Sequence, residues 1–328
     1  MNIQKLKDEA KRAIGRKEVT HLIGYQKGSY GFRISPIFIE TKEELDRLTF
    51  SPLCSLSLVN YLTIEGKPAQ VQSEEEKKSK AKKVAIFVRG CDSRALNQII
   101  AEKGLSRESL YIIGIPCKGV IDLKKIEAQF SNVVDPAEVV EENGKYIITI
   151  NDQTHEVPKE ELIADTCKVC QYPTPLTYNK LLGDKLEGNP ANYDDIQKLE
   201  EKTPEEKWSF WQNQLDRCIR CYACKNSCPL CYCDGCILDK LTPQWVRRSV
   251  DTNENLMFHV TRAFHLAGRC VSCGECERVC PVGIPLMKLN RKMEKDVKEL
   301  FDFEAGKDPE VKPLLNTFNI EDPDDFVL

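Results

Sequence analysis

Two stretches of sequence decide the fold of the second half of the chain: Cys218-Ile-Arg-Cys221-Tyr-Ala-Cys224-Lys-Asn-Ser-Cys228-Pro229 and Cys270-Val-Ser-Cys273-Gly-Glu-Cys276-Glu-Arg-Val-Cys280-Pro281. In each stretch, three cysteines with two residues between neighbours are followed, after three residues, by a fourth cysteine and a proline. Three thiolates on one tight loop can reach three corners of a cubane 4Fe-4S cluster, and the fourth ligand comes from elsewhere. Structural zinc prefers paired ligands. The spacing therefore predicts two 4Fe-4S clusters.

The fourth cysteine of each stretch is predicted to cross to the other cluster, as in two-cluster ferredoxin modules. One cluster is then assigned to Cys218, Cys221, Cys224 and Cys280. The second is assigned to Cys270, Cys273, Cys276 and Cys228. The proline after each crossing cysteine turns the chain and removes a backbone donor.

Composition excludes several classes of protein. The 328 residues carry a net charge of −4, without the basic surplus that a nucleic-acid binder needs. No apolar run is long enough to span a membrane, and residues 1–16 form a charged amphipathic stretch without a signal-peptide core. We therefore expect a cytoplasmic protein in a reducing compartment. There, 16 cysteines indicate metal or cluster ligation rather than disulfides.

The first half of the chain has the pattern of an α/β domain. Val84–Val88 and Leu110–Ile115 are short apolar runs typical of buried strands, and an amphipathic helix lies between them. This β–α–β order predicts a parallel pair. Tyr146–Ile150 and His155–Val157 predict a hairpin, Ile34–Glu40 a further strand, and residues 1–20 a helix.

The predicted architecture is an α/β N-terminal domain with a short, partly parallel sheet, followed by a mostly α-helical two-cluster ferredoxin-type domain. The predicted bounds are 1–185 for the first domain, 186–203 for a polar linker, 204–300 for the cluster module and 301–328 for an acidic tail.

Two helices are predicted in the module. Thr203 and Glu206 form a capping-box pattern before a helix in which Trp208 and Trp211 are expected to be core residues. Asp251 is expected to cap a second helix that Gly268 ends. Its apolar face is predicted to consist of Leu256, Val260, Ala263, Phe264 and Ala267. His259 and His265 lie off that face and are interpreted as solvent-exposed or capping residues. No catalytic nucleophile–base pair is found.

A third site is predicted at the end of the parallel sheet. Cys91 and Cys117 each follow one of the parallel strands, where α/β sheets tend to place ligands. Cys167 and Cys170 form a Cys-x2-Cys pair close to prolines. These four cysteines are predicted to hold a third cluster.

The remaining cysteines leave a fourth site open. Cys231, Cys233 and Cys236 are close enough in sequence to share a metal or cluster, and Cys54 is the thiol left to complete the set. Exchanging Cys54 and Cys91 between the third and fourth sites agrees equally well with the sequence. A fourth 4Fe-4S cluster and a zinc ion are alternatives here.

Several phrases resemble the beta-subunit family of deazaflavin-reducing hydrogenases and formate dehydrogenases over roughly residues 20–240. They are Val-Arg-Gly-Cys91-Asp-Ser-Arg-Ala-Leu and Gly-Ile-Pro-Cys117-Lys-Gly, with Cys167-x2-Cys170 after them. The resemblance implies that Cys117, Cys167 and Cys170 hold a cluster, and some members bind flavin. Residues 204–297 resemble the helical ferredoxin module of succinate dehydrogenase and heterodisulfide reductase subunits.

The chain departs from the flavin-binding members of this family. It has no G-x-G-x-x-G and no Walker A pattern, and its nearest glycine-rich piece is Gly24-x3-Gly28-x2-Gly31.

The predicted function is an electron-transfer subunit of an anaerobic oxidoreductase. Several clusters would relay single electrons between a catalytic partner and another redox carrier such as a ferredoxin. The expected partners are subunits of a hydrogenase, formate dehydrogenase or heterodisulfide-reductase complex. One alternative is an FAD-containing subunit that exchanges hydride with a deazaflavin or nicotinamide. A cluster- or zinc-stabilised scaffold without redox turnover is another.

Overall fold

The computed structural model describes residues 3–65, 82–318 and 320–321. Its main sheet has five strands in the order β2-β1-β3-β4-β8. These strands are β1 (Val19–Lys27), β2 (Ile34–Ile39), β3 (Lys83–Val88), β4 (Leu110–Gly114) and β8 (Lys180–Leu181). β1 pairs with β2 antiparallel, and the β1–β3, β3–β4 and β4–β8 pairs are parallel. The predicted parallel pair and the short, partly parallel sheet are confirmed.

The burial of the two central strands, β3 and β4, explains their apolar sequences. From Ala85 to Val88 all residues of β3 are buried, and so is every residue of β4. A parallel strand covered on both faces reads as a continuous apolar run rather than an alternating one. The helix α3 (Gly90–Ala101) connects β3 to β4, so the loops that follow both strands lie at the same sheet edge.

A second sheet of three antiparallel strands lies beside the first. It consists of β5 (Glu138–Glu142), β6 (Lys145–Ile150) and β7 (Gln153–Pro158). Pairing of Tyr146 with Val157 and of Ile148 with His155 confirms the predicted hairpin. The fully buried Tyr146 and Ile148 form the centre of a separate small core.

The remaining helices are of two kinds. Those around the sheets are α1 (Ile3–Ile14), α2 (Val59–Glu65), α4 (Leu123–Gln129), α5 (Lys159–Leu162) and α6 (Asp165–Lys168). The later, all-helical part contains α7 (Asp194–Glu200), α8 (Pro204–Leu215), α9 (Ala223–Asn226), α10 (Thr252–His265), α11 (Glu275–Arg278) and α12 (Leu286–Phe301). None of the helices described here is long and apolar enough to cross a membrane.

The starts of α8 and α10 follow the predicted capping patterns. The Thr203 hydroxyl accepts from the Glu206 amide, and the Glu206 carboxylate accepts from the Thr203 amide in return. The Asp251 carboxylate accepts from the Glu254 amide at the start of α10. Gly268 follows α10 with a left-handed backbone, φ +65°, which glycine adopts without strain.

The first strand was not predicted. The expected helix over residues 1–20 ends at Ile14, and Val19–Lys27 is a strand between β2 and β3. Its Gly24 is a packing residue, because a Cβ there would lie 2.6 Å from the Leu48 side chain. The glycine-rich piece is therefore part of the sheet and its turn, not a nucleotide-binding loop.

Two predictions for the helical part are wrong in detail. The segment predicted as a polar linker contains α7, whose Ile196 is fully buried. Trp208, expected in the core, is 46 % exposed. The buried residue of that helix is Leu215 instead.

The start of the predicted acidic tail packs against the α/β part of the same chain. Arg94 of α3 is buried, and its guanidinium donates to the carbonyl oxygens of Ala305 and Val271. Ala305 belongs to the core of the main sheet, together with Leu230, Leu266 and Val271 of the helical part. The two parts therefore share one core. Residues 1–2, 66–81, 319 and 322–328 lie outside the described residues.

Candidate metal centres

The two cysteine stretches adopt the same unusual backbone. The second residue after the first cysteine has a positive φ in both stretches, Arg220 at 52° and Ser272 at 51°. The fourth does too, Tyr222 at 59° and Gly274 at 72°. Non-glycine residues seldom adopt this conformation, which here winds each loop tightly before the short helix that carries its third cysteine. Both stretches are thus built to point three thiols inward.

The first group of predicted ligands surrounds one small cavity. Its lining includes Phe258 and His259 of α10 as well as the four thiols of Cys218, Cys221, Cys224 and Cys280. Cys221 is exposed, whereas the other three are buried. We call this group the outer site.

The second group gathers around the crossing ligand Cys228. Its sulfur lies close enough to those of Cys270, Cys273 and Cys276 to raise the pKa of each thiol, in addition to the larger effect of burial. We call these four cysteines, Cys228, Cys270, Cys273 and Cys276, the inner site.

The third group meets at the end of the parallel strands. A cavity of about 280 Å³ is lined by the four predicted cysteines, Cys91, Cys117, Cys167 and Cys170. The positive side chains of Arg89 and Arg278 line it as well. We call this group the sheet site. Cys273 of the inner site lines the same cavity, so the two sites adjoin.

Cys54 is outside the sheet-site cavity. Its buried thiol accepts a hydrogen bond from the Ser51 amide, and burial raises its pKa to about 11. Cys91 instead lines the cavity with the other three cysteines, so the geometry favours Cys91 over Cys54 in the sheet site.

Cys231, Cys233 and Cys236 have only partly overlapping surroundings. Cys231 lies against Cys228, and Lys225 is near both Cys231 and Cys236, whereas Cys233 is exposed near Arg269. Within residues 3–65, 82–318 and 320–321, no three His, Cys, Asp or Glu side chains are arranged to hold a single metal ion. A preformed zinc site is therefore not found here, and a fourth cluster stays a prediction.

The chemistry of the three cysteine groups fits 4Fe-4S clusters. Iron requires thiolates, but burial raises the pKa of both Cys117 and Cys224 to about 12. Thiols such as these two stay protonated near neutral pH unless a compensating cation is bound, whereas the Cys231 sulfur and the charge of Arg262 lower the pKa of Cys228 to about 6. A cubane supplies the compensating charge and accepts one thiolate at each iron, holding the sulfurs farther apart than a single ion would.

The buried face of α10 differs from the predicted one. Phe264, expected in the core, is 59 % exposed, whereas the polar residues Asn255, His259 and Arg262 are buried. The interpretation of His259 as solvent-exposed or capping is therefore wrong. The helix packs on the cluster loops, whose backbone and sulfur atoms require polar partners. The i, i+4, i+7 spacing of these polar residues is the signal in the sequence that could have indicated this face.

His259 and Asn255 both contact the outer site. His259 Nε2 lies 3.4 Å from the Cys218 sulfur, and burial with two nearby arginines lowers the pKa of His259 to about 4. The Asn255 amide donates to the carbonyl oxygens of Leu215, Cys218 and Val250. Asn255 thereby fixes the start of the first cysteine loop.

A larger cavity of about 800 Å³ opens next to the sheet site. It lies where β3, β4 and β8 end, and its lining includes Arg89, Cys117 and Gly183. The wall carries charges of both signs, since Lys5, Lys118 and Lys180 line it together with the acidic residues Asp8, Glu9, Glu141, Glu142 and Asp184. A cavity of this size at the carboxyl ends of parallel strands is a typical place for a cofactor or substrate.

Two families match parts of the chain. One is described as the C terminus of the beta subunit of Coenzyme F420 hydrogenase/dehydrogenase, and it matches residues 81–177. The other is described as a 4Fe-4S dicluster domain and matches residues 214–284. The second match lies in the helical part of the chain, after the α/β region. It confirms the predicted order of an α/β region followed by a helical two-cluster module.

Similar proteins extend the match to most of the chain. F420-dependent formate dehydrogenase subunit beta of Methanocaldococcus jannaschii is 25% identical over 371 residues, 95% of this chain and 93% of that protein. F420-dependent formate dehydrogenase 1 subunit beta of Methanococcus maripaludis is 26% identical over 294 residues, 71% of this chain and 75% of that protein. The predicted resemblance to this beta-subunit family is confirmed.

A solved structure of the F420-reducing NiFe hydrogenase complex from Methanosarcina barkeri also overlaps with the chain. The TM-score is 0.37 at 14% identity, covering 49% of this chain and 56% of that chain, which is too partial to bear on the fold. The family and sequence matches together support an iron–sulfur electron-transfer subunit of an oxidoreductase.

Proposed function

We propose that this chain relays single electrons through three 4Fe-4S clusters in the order sheet site, inner site, outer site. It does so within a multi-subunit oxidoreductase, between a catalytic partner and another redox carrier. The relatives are named as beta subunits of formate dehydrogenases, which supports other subunits of such a complex as the partners.

One observation carries the proposal: Cys273 of the inner site lines the cavity that gathers the four cysteines of the sheet site. Clusters held at these two sites would be immediate neighbours. The inner and outer sites adjoin as well, because Cys224 of the outer site lies close to Cys276 of the inner site. A continuous row of three sites results.

The outer site provides the exit of this row. Cys221 is exposed, and the neighbouring Ile219 is 56 % exposed. By contrast, Cys276 of the inner site is buried, and its other three cysteines are only partly exposed. A redox partner can therefore approach the outer cluster more closely than the inner one. The chain's own residues hold and enclose the clusters, and the clusters supply the one-electron chemistry.

The test is the iron content of the anaerobically purified chain. We expect about twelve iron atoms and as many acid-labile sulfides per chain. The Cys117→Ala/Cys170→Ala double variant should lose about four of each while the two clusters of the helical module stay. Its electron paramagnetic resonance (EPR) spectrum after reduction should also lose the spin coupling between the inner and sheet clusters. Cys54→Ser is the matched control and should keep all its iron.

Two results would contradict the relay. A wild-type chain with about eight iron atoms, unchanged in the double variant, would exclude the sheet site. An inner cluster without spin coupling to a third cluster would break the proposed order.

A second candidate function is a flavin-containing subunit, favoured by the 800 Å³ cavity that shares Cys117 and Arg89 with the sheet site. A flavin bound there would accept hydride from a deazaflavin or nicotinamide, releasing two single electrons to the clusters and the proton to solvent. Lys118 and Lys180 would offer positive charge to phosphate groups of such a cofactor.

Flavin released by acid from the anaerobically purified chain tests this candidate. We expect about one FAD per chain if the cavity is its site. Val140 lines the cavity and Val134 does not. Val140→Trp should therefore reduce the bound flavin, whereas Val134→Trp at another exposed position should not. If a chain with full iron content contains no flavin, the second candidate function is wrong and the electron relay is unaffected.

A further inference from the structure

Arg262 is a buried charge on the face of α10 that meets the cysteine loops. Its side chain is 3% exposed, and its Nε and Nη2 atoms have no hydrogen-bond partner in the described part of the chain. Among ionisable groups, its charge interacts most strongly with sulfurs. They are those of Cys276, Cys228, Cys231 and Cys224.

These neighbours belong to both clusters of the helical module. Cys224 is a predicted ligand of the outer site, and Cys228 and Cys276 are predicted ligands of the inner site. The guanidinium therefore lies between the two sites rather than beside one of them. α10 contains no other arginine and no lysine, so Arg262 is its one permanently charged cation.

A buried guanidinium needs a compensating negative charge, since the cost of removing an ion from water is several kcal/mol. Arg262 forms no ion pair with a carboxylate among the residues described. A cubane with four thiolate ligands is a net anion, and it becomes more negative on reduction.

We propose that Arg262 compensates the charge of the inner and outer clusters together and thereby favours the reduced state of both. The inference rests on the proposed presence of these two clusters. A fixed cation in a site of low dielectric interacts more strongly with the reduced cluster than with the oxidised one. It also offers N–H donors to sulfur, which is a second way to raise a cluster's reduction potential. Arg262 is a potential-setting residue and not a ligand.

The experiment is an EPR-monitored redox titration of the full chain, purified anaerobically. In Arg262→Gln we expect both module clusters to shift to more negative potentials. At a fixed potential, the ratio of reduced to oxidised cluster should fall at least tenfold, which corresponds to about 59 mV for one electron. Arg262→Lys keeps the charge and should retain most of the wild-type potential.

Arg248→Gln is the matched control. It removes one positive charge from an exposed position of the same module, where solvent screens the charge. We expect its titration curves to coincide with those of the wild type. The sheet cluster should keep its potential in every variant.

Iron analysis separates this inference from the proposed function. A wild-type chain without clusters would contradict the proposed function itself. If clusters are present in wild type and in Arg262→Gln but their potentials are equal, the role of Arg262 is overturned.

Loss of iron from a variant is informative as well. If Arg262→Gln and the unbranched but uncharged Arg262→Met both lose the module clusters while Arg262→Lys keeps them, the charge itself is required, as proposed. If the lysine variant loses them too, the shape of the side chain is required instead, and the proposal is wrong.

Discussion

At the scale of single residues, the surroundings of a thiol determine whether it can act as a ligand. Cys54 is buried and Cys117 is half-buried, and desolvation raises the pKa of each thiol above its usual value. Cys117 faces a cavity that three other thiols line. Cys54 accepts a hydrogen bond from the Ser51 amide, 3.3 Å away.

The first prediction concerns this contrast. Cys54→Ser should leave the iron and acid-labile sulfide content unchanged, because a hydroxyl can take over the hydrogen bond to Ser51. Cys117→Ala should lower the iron content by about four atoms per chain. Iron and sulfide analysis of the two anaerobically purified variants measures this. Loss of iron from the Cys54 variant would show that it is a ligand after all.

Gly274 illustrates how one residue connects the cysteine loop to the α/β part. Its φ is +72°, and a Cβ would lie 2.3 Å from the Thr166 hydroxyl, next to Cys167 of the sheet site. Gly283 has a similar φ of +65°, but a Cβ there would meet nothing within 4 Å. Substitution of both glycines, one at a time, therefore separates the cost of backbone strain from the cost of a steric clash.

The second prediction uses that pair. Gly283→Ala should lower the free energy of unfolding by about 1–2 kcal/mol, the cost of the left-handed conformation. Gly274→Ala should cost a further 1–3 kcal/mol or so, because Thr166 or the loop has to move. Anaerobic denaturant unfolding of both variants gives the comparison. Equal losses of unfolding free energy in the two variants would mean that the loop moves away from the added Cβ at no further cost.

At the scale of elements, α10 shows why a helix next to a cofactor breaks the usual apolar pattern. Its Asn255 amide donates to three carbonyl oxygens, at 3.0, 3.1 and 3.1 Å. Asn253, on the same helix, is exposed. The buried side-chain amide supplies hydrogen bonds that water would otherwise donate to these carbonyl groups. The loop can therefore fold around the outer site without leaving them unpaired.

The third prediction follows from these hydrogen bonds. Asn255→Leu keeps the approximate size of the side chain but leaves buried carbonyl groups without a donor. We expect a loss of about 1–3 kcal/mol in unfolding free energy and reduced retention of the outer cluster. Asn253→Leu is the control and should change neither. Unfolding curves and EPR spectra of the reduced chain measure both effects, and an unchanged outer-cluster signal in Asn255→Leu would contradict the second part.

The sequence predicts local features of the fold well where one interaction dominates. Val84–Val88 is a strand because both of its faces are buried, and the helix caps at Thr203 and Asp251 depend only on neighbouring residues. The cysteine spacing predicts which sulfurs meet, since it reflects the geometry of a cubane.

The failures share a physical cause. Val19–Lys27 becomes a strand because it pairs with strands on both sides, and no local pattern reports a distant partner. On α10, hydrophobic periodicity predicts Phe264 as core and His259 as exposed, and the structure reverses both. That helix packs against the cysteine loops rather than against an apolar core. Its buried residues are therefore polar, because they contact the polar groups of those loops.

At the scale of the whole molecule, the α/β part and the helical module are joined by a buried ion pair beside the inner site. Glu102 lies at the end of α3, and Arg269 directly precedes Cys270. Arg269 donates to both carboxylate oxygens of Glu102, at 2.7 and 2.6 Å, and the Tyr232 hydroxyl donates to one of them as well. The side chains of Arg269 and Glu102 are only 14% and 10% exposed.

The pKa of Glu102 determines how this junction responds to acid. Burial alone would raise that pKa, but hydrogen bonds from Arg269, Tyr232 and Gln98 together with the charge of Arg269 lower it below the usual value. A carboxyl group whose pKa is lowered by folding stabilises the folded state above its unfolded pKa of about 4.3. This contribution is lost as the pH falls through the folded pKa.

The last prediction is that Glu102→Gln destabilises the chain at neutral pH but not in acid. We expect a loss of about 3–5 kcal/mol in unfolding free energy at pH 7, because Arg269 is left buried without its partner charge. Below about pH 4 the loss should shrink, since wild-type Glu102 is then being protonated too. Anaerobic urea unfolding across this pH range measures the difference, with Glu201→Gln at an exposed position as the control. A difference between wild type and Glu102→Gln that is independent of pH would show that the shape of the side chain, and not its charge, joins the two parts.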